Sequence, residues 1–440
     1  MRKILLLFFF LHLCSISSAQ LYREYLLSDW VFKSTESKYW LPAQVPGNSV
    51  DDLLLNGKTS VNKADTTWQY RTTFIADKQI MSRDFVELLF EGLDTRATVY
   101  LNQEKILEAN NMFRSWSVPV KPWLKEGDNE LLIEFEADDY TPSLRKAFYH
   151  YDSGLSLIPA GIWKPIILES WNDYRLDDVS YKVEEIKDKV AYLDASIEFR
   201  TAQNLAVDIE IYDEVSGRTF ARENITFDKD SHRMDIPFTI RRPKLWWPKA
   251  LGKPNLYKIG VRVKGADNEQ TLGKRIGIRT IQVDGASRND LRISINDKPV
   301  LVKQTDYRPF LINISSQNTT DYEAIFKVVE SLGKTMVRVL GVGVYENEYF
   351  YDLADVHGIM ILQDFMFVPT DYPKTESFLK NVKTEALENI KSLQHHPSIV
   401  AWGGVMADDL NPEDESSAGI NAVLKESLKQ INPSYIFLPE

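Results

Sequence analysis

Apolar and polar residues alternate at period two through much of the first 285 positions, the mark of half-buried strands. Thr67-Trp-Gln-Tyr-Arg-Thr-Thr-Phe74 alternates, as does Ala97-Thr-Val-Tyr-Leu101, which runs into Asn102-Gln103. Phe85-Val-Glu-Leu-Leu-Phe90 is largely apolar, Leu131-Leu-Ile-Glu-Phe135 follows the turn Lys125-Glu-Gly-Asp-Asn129, and Ile162-Trp-Lys-Pro-Ile-Ile-Leu168 closes the series. This spacing predicts an all-β sandwich over residues 20–175. Residues 190–199, 207–212 and 256–263 alternate in the same way and predict a second antiparallel sandwich, of immunoglobulin-like size, over 176–284. Within it, Pro243-Lys-Leu-Trp-Trp-Pro248 reads as a packing plug.

After Arg288 the period lengthens. Residues 293–303 give strands, and Asp321-Tyr-Glu-Ala-Ile-Phe-Lys-Val-Val-Glu-Ser-Leu332 is an amphipathic helix stopped by Gly333. Thr335-Met-Val-Arg-Val-Leu340 is an apolar strand. Helix 346–357, strand 359–364, helix 377–394, strand 399–404, helix 418–430 and strand 435–438 continue the alternation. Strands alternating with helices predict a parallel sheet with right-handed crossovers, and polar residues at the strand ends suit a (β/α)8 barrel over 285–440. Counted from Val300 there are five strands where a closed barrel has eight. The expectation is therefore an incomplete barrel, explained by a truncated product or by a separately encoded segment that completes it. Ile399-Val-Ala-Trp-Gly-Gly-Val-Met-Ala-Asp408, preceded by His396-Pro-Ser398, has the form of a buried parallel strand that delivers a residue to the barrel mouth.

The amino terminus changes this picture in one respect. Arg2 and Lys3 precede an apolar run from Ile4 to Leu13, and Ser17-Ser-Ala19 offers a small-residue cleavage site. Residues 1–19 are predicted to be a signal peptide, with Gln20 the first mature residue and a periplasmic or secreted destination. Leu11-His-Leu13 are not the small residues expected before a lipid-anchored Cys14. That cysteine is the only one in the chain, so the mature protein holds neither a disulfide nor a thiolate metal site. The formal net charge is −11, which disfavours nucleic acid as a partner, and no second apolar run reaches membrane length. His395-His396 are adjacent, and adjacent rings face apart on a helix or strand; no Asp, Glu and His set has metal spacing along the chain. No metal and no cofactor are expected, and Gly341-Val-Gly343 lacks the rest of a dinucleotide pattern.

Short motifs in a fixed order carry a resemblance. They include Val45-Pro-Gly47 with Asp52-Leu-Leu54, Trp68-Gln-Tyr-Arg71, Gly92-Leu-Asp-Thr95, Asn111-Met-Phe-Arg114 and Gly161-Ile-Trp-Lys-Pro165. Leu245-Trp-Trp-Pro248, Gly277-Ile-Arg-Thr280, Tyr345-Glu346, Gln363-Asp-Phe-Met-Phe367 and His396-Pro-Ser398 follow. Together they resemble glycoside hydrolase family 2, and in detail its β-mannosidase branch. The resemblance implies a multidomain fold: a jelly-roll-like sugar-binding sandwich, an immunoglobulin-like sandwich and a TIM-barrel catalytic domain. It implies retaining hydrolysis of terminal non-reducing β-D-mannose, with β-mannoside glycans or oligosaccharides as partners. Such chemistry needs an acid/base and a nucleophile carboxyl about 5–5.5 Å apart.

Departures from the family pattern fall on that chemistry. The family's fourth barrel strand ends in Trp-x-Gly-Asn-Asn-Glu, its Glu the acid/base. Aligned on Trp402 and Gly404, this chain has Val405, Met406 and Ala407. Ala407 cannot transfer a proton and Met406 cannot hold a sugar hydroxyl. Asp408, one position later and one methylene shorter, is either a substitute acid/base or a loop charge. The family's Trp-Gly-Gly-Gly is Leu340-Gly-Val-Gly343 here, its Lys-Gly-x-Asn is Lys303-Gln-Thr-Asp306, and its Gly-Trp-Asp-Trp-Gly-Pro loop is reduced to Tyr151-Asp-Ser-Gly154. Asp364 matches the carboxylate that binds the mannose hydroxyls. With Asp152, Asp306 and Trp402 it makes up the expected substrate-binding set. The nucleophile is expected beyond residue 440. The sequence thus predicts a β-mannosidase-like protein inactive on its own, with a non-catalytic glycan-binding or interaction protein as the alternative.

Overall fold

A computed structural model describes residues 21–58, 66–137, 144, 159–266, 268–284, 291–309, 319–368, 370, 372–405 and 415–439. The expected leader at 1–19, Asp152, and Met406 to Asp408 lie outside the described residues.

Two β-sandwiches precede an α/β unit. In the first, strands Leu21–Tyr25, Ile166–Trp171, Phe85–Phe90 and Trp116–Pro119 form one sheet. The facing sheet of six is centred on Trp68–Ala76 and Gly127–Phe135. Alternation in the sequence becomes burial: Trp68, Tyr70, Phe74 and Ala76 point inward from one strand while Thr73 and Ile75 face water. Phe32 stacks on Trp68 and Tyr70, and Phe135 meets Tyr70 edge-on at 5.7 Å. The second sandwich pairs Tyr174–Lys187, Val190–Thr201 and Arg233–Arg241 against Thr219–Phe227, Leu205–Asp213, Tyr257–Lys264 and Glu269–Ile276. Stacked Phe199 and Phe227 fill its centre, and Tyr174 and Tyr181 cross it to donate to the carbonyls of Val263 and Ile259.

The sheet that follows corrects one expectation. Arg292–Ile295 and Lys298–Val300 do not open the parallel sheet; they pair antiparallel with each other, and Arg292–Ile295 pairs antiparallel with Ile281–Asp284 on its other side. The first parallel strand is Gln304–Tyr307, whose polar Gln-Thr-Asp-Tyr sequence carries no apolar run to announce it. Met336–Val339, Met360–Asp364, Ile399–Gly403 and Phe437–Leu438 follow it in sequential order, all parallel. The three middle strands are buried throughout. Helices Thr319–Ser331, Glu348–His357, Glu376–Leu393 and Glu415–Ile431 connect the five. Asn347 caps the second of these helices by accepting from the Phe350 N–H, and left-handed Gly358 ends it.

Both sandwiches are docked on the α/β unit by motifs from the sequence. From the first, Asn111 Nδ2 donates to Glu385 at 2.9 Å, Arg114 to Glu388 at 3.1 Å, and Phe113 packs edge-on against Tyr345 and Trp163. From the second, Trp246 is fully buried and its indole N–H donates to the Asp355 carbonyl at 2.9 Å, the plug that Pro243 to Pro248 predicts. Arg279 donates to the carbonyls of Pro397, just before the fourth parallel strand, and of Ile399, its first residue. The fourth strand is thus held at its entrance by the second sandwich.

Candidate functional site

In a parallel sheet covered by helices, ligands are met at the carboxyl ends of the strands. At that end the third strand presents Asp364, directly opposite Gly403 on the fourth. Asp364 is fully buried and its Oδ2 takes two bonds from one guanidinium: Arg338 Nε at 2.7 Å and Nη2 at 2.5 Å. The Gly341 N–H adds a third at 3.3 Å. Burial pushes the carboxyl up to about 6, outweighing the pull of Arg338 in the opposite direction.

Two glycines make this arrangement possible. A Cβ on Gly403 would lie 2.0 Å from Asp364 Oδ1, and one on Gly341 would lie 2.6 Å from the Phe365 carbonyl. Any side chain at 403 would therefore evict the carboxylate. The reduction of the family's aromatic motif to Leu340-Gly-Val-Gly343 leaves intact the glycine whose N–H reaches Asp364.

The other described members of the expected substrate set are placed differently. Asp306 is exposed on the first strand, opposite Arg338 in register, and accepts from Gln304 Nε2 at 2.8 Å. Trp402 is 2 % exposed and stacked on Phe365 at 5.0 Å, so its ring backs the site from within the core. Behind Asp364, Tyr351 donates to Gln363 Oε1 at 2.7 Å, and Gln363 donates to the Asp364 carbonyl, fixing the strand end. Tyr322 donates to the buried Glu346 at 2.6 Å nearby. Sequence reasoning missed Arg338, whose position inside an apolar strand with no partner nearby along the chain was the available signal.

A further correction concerns His395 and His396. Their rings do not face apart: the centroids are 4.0 Å apart, because residues 394–398 form turns instead of a helix or strand.

Comparison with known proteins agrees with this construction. Residues 30–164 match the model of the glycosyl hydrolase 2 galactose-binding domain-like family, and residues 174–279 match that of glycosyl hydrolases family 2. The chain belongs to glycosyl hydrolases family 2. Within that family it is β-mannosidase-like. It is 31% identical to beta-mannosidase B of Thermothelomyces thermophilus, over 88% of this chain and 50% of that protein, and 31% identical to beta-mannosidase B of Aspergillus oryzae, over 91% and 52%. Superposed on the crystal structure of beta-D-mannosidase from Dictyoglomus thermophilum, it gives a TM-score of 0.85 at 29% identity, covering 95% of this chain and 57% of that one. The chain spans about half the length of the curated relatives it matches.

Proposed function

We propose that this chain recognises terminal β-mannose through Asp364 and does not by itself hydrolyse the glycosidic bond. Support for recognition comes from one observation above all. A buried carboxylate, clamped by Arg338 and seated under Gly403, lies at the strand end where the β-mannosidase branch binds sugar hydroxyls. Charge-assisted hydrogen bonds from fixed donors hold such a carboxylate in one orientation before any ligand arrives. Support for the missing turnover comes from Ala407, a residue without a titratable group where the branch carries its acid/base glutamate. General acid/base assistance of this kind is worth about 10²–10⁴-fold in rate. We assign Asp306 and Asp152 as secondary contacts and Trp402 as a backing residue.

Titration calorimetry with mannose and β-1,4-mannobiose tests the recognition half. Measurable binding by the intact chain, weakened at least about tenfold in Asp364→Ala, is the expected result; a polar contact to a charged group of this kind is worth about 1.5–3 kcal/mol. No heat of binding from the intact chain would remove the reading. Turnover that appears only on mixing with a separately expressed segment would instead favour a split hydrolase. We further propose export, with residues 1–19 removed and domain divisions near 175 and 285.

A further inference from the structure

At the opposite end of the fourth strand from the candidate site, at the turn that precedes Ile399, the fold collects a set of side chains that sugar recognition does not use. Ligand-capable atoms of Glu348, His395 and His396 lie within 4.8 Å of one another. We propose that these three residues form a binding site for a divalent transition metal, of which zinc is the best match, with water completing a tetrahedral shell.

His396 is 1 % exposed, and its Nδ1 is bonded at 2.7 Å to Oδ2 of the fully buried Asp355. The other oxygen of that carboxylate accepts from the Ser398 N–H, so Asp355 is fixed and in turn fixes the ring. A carboxylate holding one imidazole nitrogen while the second is offered to a metal is the recurrent outer shell of histidine metal sites. The second nitrogen, His396 Nε2, is buried and has no hydrogen-bond partner. An unsatisfied buried ring nitrogen is costly, and a metal bond satisfies it. His395 Nε2 and Glu348 Oε1 are 3.4 Å apart, long for a hydrogen bond. Two ligands each about 2.05 Å from a tetrahedral ion are about 3.4 Å apart.

The surroundings allow an ion to enter. Glu348 is 71 % exposed, and a cavity of about 300 Å³ between the second sandwich and the α/β unit is lined by both histidines. A competing set, Asp352, Asp355 and His396, is already neutralised: Arg275 holds Asp352 at 2.5 Å, and Ser398 and His396 hold Asp355. The nearby cation Lys274 is paired with Asp178 at 2.6 Å. Two imidazoles and one carboxylate select zinc-type ions over calcium or magnesium, which take oxygen ligands. Bound there, the ion ties the start of helix Glu348–His357 to the turn that feeds strand Ile399–Gly403. Its effect is on the stability of that strand's entrance, with no part in sugar chemistry.

The test uses the whole untagged chain, stripped with chelator and titrated with Zn²⁺ alone. One equivalent is expected to bind, the melting temperature is expected to rise with free Zn²⁺ and fall back on chelation, and Co²⁺ is expected to give the visible bands of a tetrahedral ion. His395→Gln and Glu348→Gln are each expected to weaken Zn²⁺ binding at least about tenfold, the lower end of what disturbing a metal shell costs. Glu348 is exposed, so its variant reports binding even if the histidine variant folds poorly. Failure of the folded wild-type chain to take up Zn²⁺, or uptake unchanged in both variants, would overturn the proposal.

Discussion

Asp364 and Arg338 show how a single buried ion pair defines a site. Both are nearly or fully inaccessible, so each charge depends on the other. Removing one partner of such a pair costs about 3–5 kcal/mol, whereas replacing both with well-packed apolar groups is often close to neutral. Arg338→Met is expected to lose about that much in urea unfolding, and Arg338→Met with Asp364→Leu to recover part of it. If the single variant is as stable as the parent, the pair does not hold the strand end. Gly403→Ala has a different mechanism: a methyl placed 2.0 Å from the carboxylate oxygen must displace it, so sugar binding should be lost at a modest overpacking cost of about 1–3 kcal/mol. Asp364 was legible in the sequence because a motif surrounds it. Arg338 was not, since its partner is 26 positions away and only the parallel pairing of two strands brings them together.

At the scale of elements, what could be read depended on periodicity. Helix Glu376–Leu393 buries Val382, Ala386, Ile390 and Leu393 along one face, a spacing plain in the sequence. Strand Gln304–Tyr307 was missed because its residues are polar and its pairing with Met336–Val339 is a tertiary fact. The Asn111 to Arg114 and Leu245 to Pro248 motifs were visible as signatures, but their work as docking surfaces needed the helices they meet. Trp246 is the clearest case. Its indole is buried completely and donates to a carbonyl near the end of helix Glu348–His357. Trp246→Ala is expected to cost about 3–5 kcal/mol in chemical denaturation. A loss below 1 kcal/mol would mean that the plug contributes little to holding the second sandwich.

Across the whole molecule, the first sandwich and the helix Glu376–Leu393 share a buried carboxyl. Burial pushes Glu385 up to about 8, while hydrogen bonds from Asn111 and Tyr345 pull the other way. In the unfolded chain the same group titrates near its ordinary value of 4.5. The folded state therefore binds an extra proton between these two values. The stability this contributes is full below about 4.5 and is lost as pH rises through about 8. Melting temperature is expected to fall between about pH 5 and pH 8.5, with a smaller fall in Glu385→Gln. An identical pH profile in parent and variant would remove Glu385 as the cause.

The same long-range assembly underlies the proposal that a family fold keeps Asp364 for sugar binding while alanine stands at its acid/base position. The most direct test is release of p-nitrophenol from p-nitrophenyl β-D-mannoside by the purified chain. No release above the buffer rate is predicted. Sustained turnover that disappears in Asp408→Ala would contradict the account.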